Sequence, residues 1–424
     1  MLKWTNQGTS DLVLDRVNNL LGVNEKGEVT LGWGPRVFES AAEILAGCIT
    51  YSPDLSESRR VAITRRALID AKKAGDFSHK GVLDRASHQQ TEFLRSPIQP
   101  YVLVSSASIE YHEYLAPVTL PGVTISFLEH RPSKFVLPVN QGQPVEHNVP
   151  FHQTHVTVEV AARDPLEAAD VAFSHLTLLR GIWNLFLNRR TEMRISFGGG
   201  HGRHPVNQIV PGPLHSVHQP DGGLALNDRW WVSPDLEGIR PAPLSQAYKP
   251  LKEFERTVRN RLNNAAIGTD LTRLLTLYCG ACDEPQLSSS YLSLWAVLEQ
   301  ITGTAKASYE DLLRRASFFS IDPLFDRAVL EYLRNQRNGM VHHGSSIDDP
   351  ERIVYQLKHY VEYGLTFLLR NARRFRTVEE FRQLMDLPPD TELLRERLKL
   401  DRWAYGMHAK WRKAADPPVD SSKE

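Results

Sequence analysis

The spacing of the apolar residues differs between a strand-rich stretch and a long helical stretch after it, and this difference most restricts the possible folds. Between residues 101 and 162, the runs YVLVSSASI, GVTISFLEH, KFVLPV and THVTVEVAA are dense in β-branched and aromatic residues, with Pro, Gly and Asn between them. Such runs predict strands of a sheet. From Leu251 onward, apolar residues recur at intervals of three and four almost without interruption, which predicts helices. The pattern therefore predicts an α+β N-terminal domain followed by an all-α helical bundle as the C-terminal domain.

Helical signals flank the strand-rich stretch on both sides. Before it, the segment RVFESAAEILAGCIT, residues 36–50, has the three-and-four spacing of a helix. After it, Asp164 can cap a helix, Pro165 suits the first turn and Glu167 completes a capping box. We therefore predict that residues 1–195 form an α+β domain, with this second helix packed against the sheet. Its apolar stripe consists of Leu166, Ala169, Phe173, Leu176, Leu179, Trp183 and Phe186.

Composition and periodicity predict three further segments. Residues 196–245 are rich in Gly, Pro and His and have little periodicity, which is typical of a loop-rich connector. Residues 246–415 carry successive helical patterns, which predict an antiparallel bundle with additional C-terminal helices. Residues 416–424 form a polar tail. The helix predicted near residues 351–375 is expected to bury Ile353, Leu357, Val361, Leu365 and Leu368.

The overall composition is that of an ordinary globular protein. The chain has 424 residues, of which 41% are hydrophobic, so it can bury a sizeable core. Lys plus Arg and Asp plus Glu each number 50, so net charge gives no global signature of nucleic-acid binding, although a local basic patch stays open. Three cysteines cannot form a disulfide framework and suit a reducing compartment. Because no long apolar run or secretory signal is evident, we expect a cytoplasmic protein with no membrane partner.

The segment QRNGMVHHG, residues 336–344, concentrates reactive side chains at one helix end. It completes a helical pattern and precedes SSIDDP, so Arg337, Asn338 and His342 are predicted to lie in the last turns of a bundle helix. An Arg guanidinium is always charged and can grip a phosphate with two donors. A His ring exchanges a proton near neutral pH. This combination suits chemistry at a phosphodiester.

The arrangement of Arg, a polar residue, three further positions and His, late in the third helix of a bundle, resembles the HEPN superfamily. The preceding segment LSLWAVLEQITG, which contains Glu299, is similar to the matching helix of the Apea-like HEPN branch. The resemblance covers about residues 250–375 and implies a HEPN-like bundle. Many members of this superfamily are metal-independent endoribonucleases in which two protomers combine their motifs into one site. The resemblance therefore implies a homodimer or higher homo-oligomer, an RNA substrate, and neither a cofactor nor a metal.

The resemblance also implies roles for individual residues. Arg337, Asn338 and His342 are the expected catalytic residues: His342 transfers a proton, Arg337 stabilises the phosphorane, and Asn338 orients the ring or donates to a phosphate oxygen. His343 also falls within the accepted Arg-to-His spacing, so the catalytic ring can be either, and we favour His342. Arg334, one helical turn earlier, is an auxiliary phosphate contact or a solvated side chain. Glu299 is expected to hold Arg337 or Arg334 through a charge-assisted bond.

Three functional hypotheses stay open at this point. The first is an endoribonuclease acting in stress response, as a toxin or in antiphage defence, with the N-terminal domain sensing a trigger or binding a regulatory partner. The second is a noncatalytic module whose bundle binds RNA, a nucleotide or a protein, because the superfamily includes such members. The third treats the bundle as a dimerisation platform. Cleavage in the presence of EDTA separates the first hypothesis from the others.

Other polar clusters have simpler interpretations. HGRH (His201, His204), HSVH (His215, His218) and CGAC (Cys279, Cys282) have metal-ligand spacing. We favour a polar loop and two ordinary helix-end thiols over a metal site, because the histidines lie among Gly and Pro and the cysteine pair stands alone. The basic run RNARRFR is interpreted mainly as a solvated helix face, because acids are interspersed around it.

Overall fold

The computed structural model of the chain describes residues 2–31, 35–140, 143–144, 153–189, 205–226, 230–233, 239–304, 308–343, 349–388 and 390–415. The chain divides into two compact units. One comprises Met1–Leu176 and Ile209–Leu244, and the other comprises Thr177–Gln208 and Ser245–Glu424. None of the described helices has both the length and the apolar content needed to cross a membrane.

Helices and a short hairpin begin the first unit. Asn6, Ser56 and Ser78 accept hydrogen bonds from backbone N–H groups in the first turns of their helices, which satisfies donors that a helix start leaves free. The helices bury a common apolar core that includes Leu45 and Leu68. The elements are α1 (Gln7–Leu20), β1 (Leu21–Val23), β2 (Val29–Leu31), α2 (Pro35–Gly47), α3 (Glu57–Lys73) and α4 (His79–Arg95).

An antiparallel sheet forms the rest of the first unit. Its described strands are β3 (Gln99–Ala107), β4 (Val118–Leu120), β5 (Val123–Leu128), β8 (Thr154–Ala162), β9 (Leu214–His218) and β10 (Trp231–Val232), in the order β10-β9-β3-β8-β5-β4. A separate small hairpin pairs β6 (Val139–Asn140) with β7 (Gln143–Pro144). Three of the four predicted strand runs are confirmed as β3, β5 and β8. The prediction for KFVLPV is wrong except at Val139, and Pro138 has no N–H to donate to a sheet.

The segment interpreted as a loop-rich connector contributes two strands to this sheet. Strand β9 pairs with the long central strand β3 in the register Val102↔His218 to Val104↔Ser216, and β10 pairs with β9. The Gly and Pro residues around these strands indicated a loop. The strands form because they pair with β3, which is distant in the sequence. The unit boundaries consequently differ from the predicted segments 1–195, 196–245 and 246–415, because Ile209–Leu244 groups with the sheet.

The histidines of HSVH lie in β9 rather than in a loop. His215 Nδ1 is 2.8 Å from Ser105 Oγ, and His218 Nε2 is 2.8 Å from Ser216 Oγ. Both rings are buried. Burial lowers the pKa of His218 to about 4, so this ring is neutral in the folded protein at neutral pH.

The helix that follows β8 begins as predicted, and it runs on into the second unit. In α5 (Pro165–Asn188), Asp164 Oδ1 accepts from the Glu167 N–H at 2.9 Å, and the Glu167 carboxylate accepts from the Arg163 N–H. The first bond is the N-cap half of a capping box, whereas the Glu167 carboxylate accepts from Arg163, the residue before the cap, rather than from Asp164. The unit boundary lies after Leu176, and residues 178–185 are buried on every face of the helix. A single stripe therefore does not describe its C-terminal half.

Helices make up the described part of the second unit beyond α5. The predicted buried stripe Ile353, Leu357, Val361, Leu365 and Leu368 is confirmed. A mixed N-terminal region followed by a C-terminal region of many helices is therefore confirmed. The helices are α6 (Tyr248–Asn264), α7 (Gly268–Asp283), α8 (Leu287–Thr302), α9 (Tyr309–Ser317), α10 (Pro323–His343), α11 (Pro350–Asn371), α12 (Val378–Met385) and α13 (Thr391–Ala415), with a 3₁₀ turn at Ala372–Arg374.

Candidate functional site

The Arg-Asn-xxx-His segment forms the last two turns of α10. The helix starts where Asp322 Oδ1 accepts from the Phe325 N–H at 3.1 Å. It packs against α9 and α11 through buried Leu330 and Leu333. The Tyr291 hydroxyl, from α8, donates to the Leu333 carbonyl, and burial raises the pKa of Tyr291, which keeps this donor protonated. The backbone just before the motif is therefore anchored to a neighbouring helix.

Arg337 is half-buried and is positioned by neutral groups. Its Nη1 donates to the Tyr309 hydroxyl at 3.0 Å and to Asn338 Oδ1 at 3.3 Å. Within the described part of the chain, no carboxylate forms an ion pair with Arg337. Its positive charge is therefore held in place without being neutralised, which is the state required of a group that binds an anion.

Tyr309, the first residue of α9, contacts both arginines of the segment. Its ring lies 5.8 Å from the Arg334 guanidinium carbon, within range of a cation–π contact. Arg334 also lies 3.6 Å from the Glu331 carboxylate. Sequence reasoning did not identify Tyr309, because its relation to Arg337 depends on how α9 packs against α10. A half-exposed Tyr at a helix start gives no signal by itself.

Glu299 does not take the predicted place beside an arginine. Its carboxylate accepts from Trp295 Nε1, one turn earlier on α8, at 2.9 Å. Among the described residues, neither Arg334 nor Arg337 forms an ion pair with it. Arg334 instead forms an ion pair with Glu331, one turn earlier on α10, at 3.6 Å, which is too long for a hydrogen bond.

The structure places Asn338 directly beside Arg337, and it does not distinguish between His342 and His343 as the catalytic ring. The helical backbone of α10 continues through His343, so positions 338 and 342 are one turn apart. The side chains of His342 and His343 lie outside the described residues, as does Gly344. The choice between the two rings stays a prediction.

An apolar strip runs along the exposed side of α10. Leu324, Ala328 and Tyr332 recur every four residues and therefore share one face. Leu324 is 82% exposed, and the neighbouring Phe325 is 65% exposed. Large apolar side chains left on the surface at helical spacing are typical of an interaction face.

The candidate metal-ligand clusters take separate positions. His201 and His204 lie outside the described residues, and HSVH lies in β9. Cys279 and Cys282 are buried free thiols on α7, and burial raises the pKa of Cys279 to about 12. Within the described ranges, no group of three or more His, Cys, Asp or Glu side chains is arranged to hold a metal ion.

A buried polar network in the second unit was missed by sequence reasoning. Asp283 accepts both Arg180 guanidinium nitrogens, at 3.1 and 2.7 Å, and also Asn207 Nδ2 at 2.7 Å. Asn188 Nδ2 donates to Asn207 Oδ1 and to the Tyr278 hydroxyl, both at 3.0 Å. These bonds join α5 to α7 through polar side chains in a core position.

The network continues into α11 through a buried ion pair. Lys358 Nζ lies 3.1 Å from Glu362 and 2.9 Å from the Asn188 carbonyl, while the Tyr278 hydroxyl donates to the other Glu362 oxygen. Desolvation raises the pKa of Glu362, and Lys358 opposes that change. The sequence signal that could have indicated this ion pair was the four-residue spacing of Lys358 and Glu362 beside the buried stripe of α11. Because each charge is paired and hydrogen-bonded, we interpret this network as structural: it holds α5, α7 and α11 together.

The basic run after α11 is mostly solvated, as interpreted from the sequence. Arg370, Arg374 and Arg376 are exposed. Arg373 donates to Asn260 Oδ1 on α6. This run therefore adds positive charge to the surface.

No protein-family model, curated protein or solved structure matches the chain. The HEPN resemblance accordingly rests on the residues of the motif and on the Glu299 segment.

Proposed function

We propose that the C-terminal helical region is a HEPN-type, metal-independent endoribonuclease. The observation that best supports this proposal is the state of Arg337. Its guanidinium is half-buried, is held by the Tyr309 hydroxyl and Asn338 Oδ1, and has no carboxylate partner among the described residues. A phosphate is the natural occupant of such a site in a helix-end motif that also contains His342.

The proposed reaction needs one proton acceptor and one fixed cation. The 2′-hydroxyl oxygen of RNA attacks the adjacent phosphorus and transfers its proton to a neutral His ring. Arg337 stabilises the extra negative charge that builds up on the phosphorane oxygens. The bond from phosphorus to the 5′-oxygen then breaks, this oxygen takes up a proton from solvent, and the protonated ring returns its proton to solvent. The products are a 2′,3′-cyclic phosphate and a free 5′-hydroxyl.

The surrounding residues take positioning roles in this proposal. Tyr309 holds Arg337 through its hydroxyl and faces Arg334 with its ring, so one side chain orders two cations. Asn338 occupies one Arg337 donor in the free protein and is released to the phosphate or the ring when RNA binds. Glu299 no longer has a role in holding the arginines.

The biological setting follows only from the resemblance. We propose that the enzyme acts in the cytoplasm in stress response, as a toxin or in antiphage defence. The N-terminal region then senses a trigger or binds a regulatory partner. A noncatalytic RNA- or nucleotide-binding module is the alternative, and binding without cleavage is the result that would favour it.

Cleavage of RNA in excess EDTA tests the proposed function. The purified full chain is expected to cut a mixed-sequence RNA with undiminished rate and to leave 2′,3′-cyclic phosphate ends. A DNA oligonucleotide of the same sequence is the control and must stay intact, because it has no 2′-hydroxyl. If RNA binds but is never cut under any activating condition tested, the alternative replaces the enzyme.

We also expect a two-fold homodimer through the exposed strip of α10. One Arg and one His make a sparse site, and a symmetric interface doubles the groups around one phosphate. Light scattering should give a mass near twice 48.1 kDa. Ala328→Glu should produce monomers and lose cleavage, because a charge would be buried in the interface.

The matched control for this prediction is Leu398→Glu. Leu398 lies on α13 and is 49% exposed, so its replacement adds the same charge elsewhere on the surface. This variant should stay dimeric and active. A wild-type protein that is monomeric at working concentration and still cleaves at full rate would exclude the composite site.

A further inference from the structure

A recess lies at the N-terminal end of α10, opposite the end that carries Arg337. It encloses about 380 Å³ and is bounded by the turn after α9, the first turn of α10 and the middle of α11. This volume is within the range of small-molecule sites, about 300–1,000 Å³. The side chains that define its chemistry are Phe319, Asp322, Phe325, Asp326, Tyr360 and Tyr363.

Aromatic rings form a fixed wall of this recess. The Phe319 ring lies 4.6 Å from Phe367 and 5.8 Å, in a stacked arrangement, from Phe381, which is fully buried. The Tyr363 ring lies 6.2 Å from Phe319 in a tilted arrangement. Because Phe319 is held by rings beneath it, its position does not depend on an occupant. Aromatic faces carry negative electrostatic potential, so this wall attracts cations.

Two carboxylates add negative charge to the recess. Asp326 accepts from the Tyr360 hydroxyl at 2.7 Å, and Asp322 accepts from the Phe325 N–H. Burial and the Asp326 charge raise the pKa of Tyr360, so its hydroxyl stays a neutral donor. Among the described residues, neither aspartate forms an ion pair, and the lining contains His359 but no Lys or Arg. Each carboxylate therefore retains lone pairs for another donor.

We infer that this recess binds a small organic cation whose charged group carries N–H donors, namely an alkylammonium or a guanidinium. The aromatic wall favours a ligand that carries a positive charge and a short alkyl chain. The free carboxylate lone pairs account for N–H donors, which a quaternary ammonium lacks. The volume suits one charged group with a short chain rather than a folded protein surface.

This site is separate from the proposed RNA-cleaving residues, and Phe325 is the residue that borders both the recess and the apolar strip of α10. Asp326 and Arg337 are eleven positions apart on one helix, which corresponds to about 17 Å at the α-helical rise. Binding is measured without RNA, so the outcome of this test and that of the nuclease test do not depend on each other.

Titration calorimetry of the full chain with 1,4-diaminobutane and agmatine tests the inference. Saturable binding is expected for both, and none is expected for 1,4-butanediol, which has the same length without charge. Asp326→Asn and Asp322→Asn should each weaken binding about ten- to a hundredfold, since a charge-assisted hydrogen bond is lost. Both replacements keep a side-chain oxygen that accepts from Tyr360 or caps α10, so the fold should be retained, as a thermal melt can verify.

The control variant is Asp401→Asn on α13, whose carboxylate is exposed and 4.0 Å from Arg397. It removes the same formal charge outside the recess and should leave binding unchanged. Equal weakening by Asp401→Asn and Asp326→Asn would mean nonspecific attraction and would overturn the inference. Absence of diamine and agmatine binding to the wild-type chain, or equal binding of the diol, would overturn it as well.

Discussion

Replacing His342 by alanine is expected to abolish RNA cleavage while leaving fold and assembly unchanged. The ring is assigned the proton transfer that accompanies attack by the 2′-hydroxyl, and a positioned general base contributes roughly 10²- to 10⁴-fold to a rate. Position 342 belongs to the last turn of α10. Single-turnover cleavage, a thermal melt and light scattering on one preparation measure the three properties together.

His343→Ala is the matched control for this prediction. The two rings are adjacent, so both variants remove the same group from the same helix end. If the His343→Ala variant is inactive while the His342→Ala variant is fully active, the catalytic ring is that of His343. Full activity in both variants would contradict the nuclease proposal altogether.

Arg337→Lys is expected to lose cleavage although it keeps the positive charge. A guanidinium can present a planar pair of donors to a phosphorane, whereas an ammonium provides a flexible point charge. Removing one such positioned donor typically costs about 2.7–4 kcal/mol of transition-state stabilisation, or roughly a hundred- to a thousandfold in rate. A purely structural contact at a helix end would instead cost about 0.3–1 kcal/mol of folding stability.

Single-turnover cleavage beside a thermal melt separates these two roles of Arg337. A large rate defect with an unchanged melting temperature supports catalysis. Arg373→Lys is a useful control, because Arg373 also donates to a neutral side-chain oxygen, Asn260 Oδ1. It lies outside the motif and should cleave normally. A near-normal rate for Arg337→Lys with a modestly lowered melting temperature would return Arg337 to a structural role.

Local interactions made several elements predictable from sequence. The helix-start hydrogen bond from the Glu167 N–H to Asp164 joins residues three apart, so it can be recognised without knowing the fold. The buried stripe of α11 follows in the same way from helical periodicity. Strands β3, β5 and β8 were recognisable because β-branched residues are dense in each run. The helix-end position of Arg337 and Asn338 was also set by local pattern, as α10 confirms.

Only the tertiary structure decided which distant groups meet. Sequence could not pair β9 with β3, because the partners Ser216 and Val104 are far apart in the chain and Gly and Pro surround β9. The sequence analysis predicted Glu299 beside an arginine, whereas in the structure its carboxylate accepts a hydrogen bond from Trp295 Nε1.

The same limit applies to both functional regions of the second unit. Tyr309 meets Arg337 across two helices, and the aromatic recess is assembled from the turn after α9, α10 and α11. Helical periodicity specifies which face of each helix is apolar, but it carries no information about which side chains of another helix that face will contact. Sequence alone therefore determined the helix and its reactive residues, and packing determined their partners.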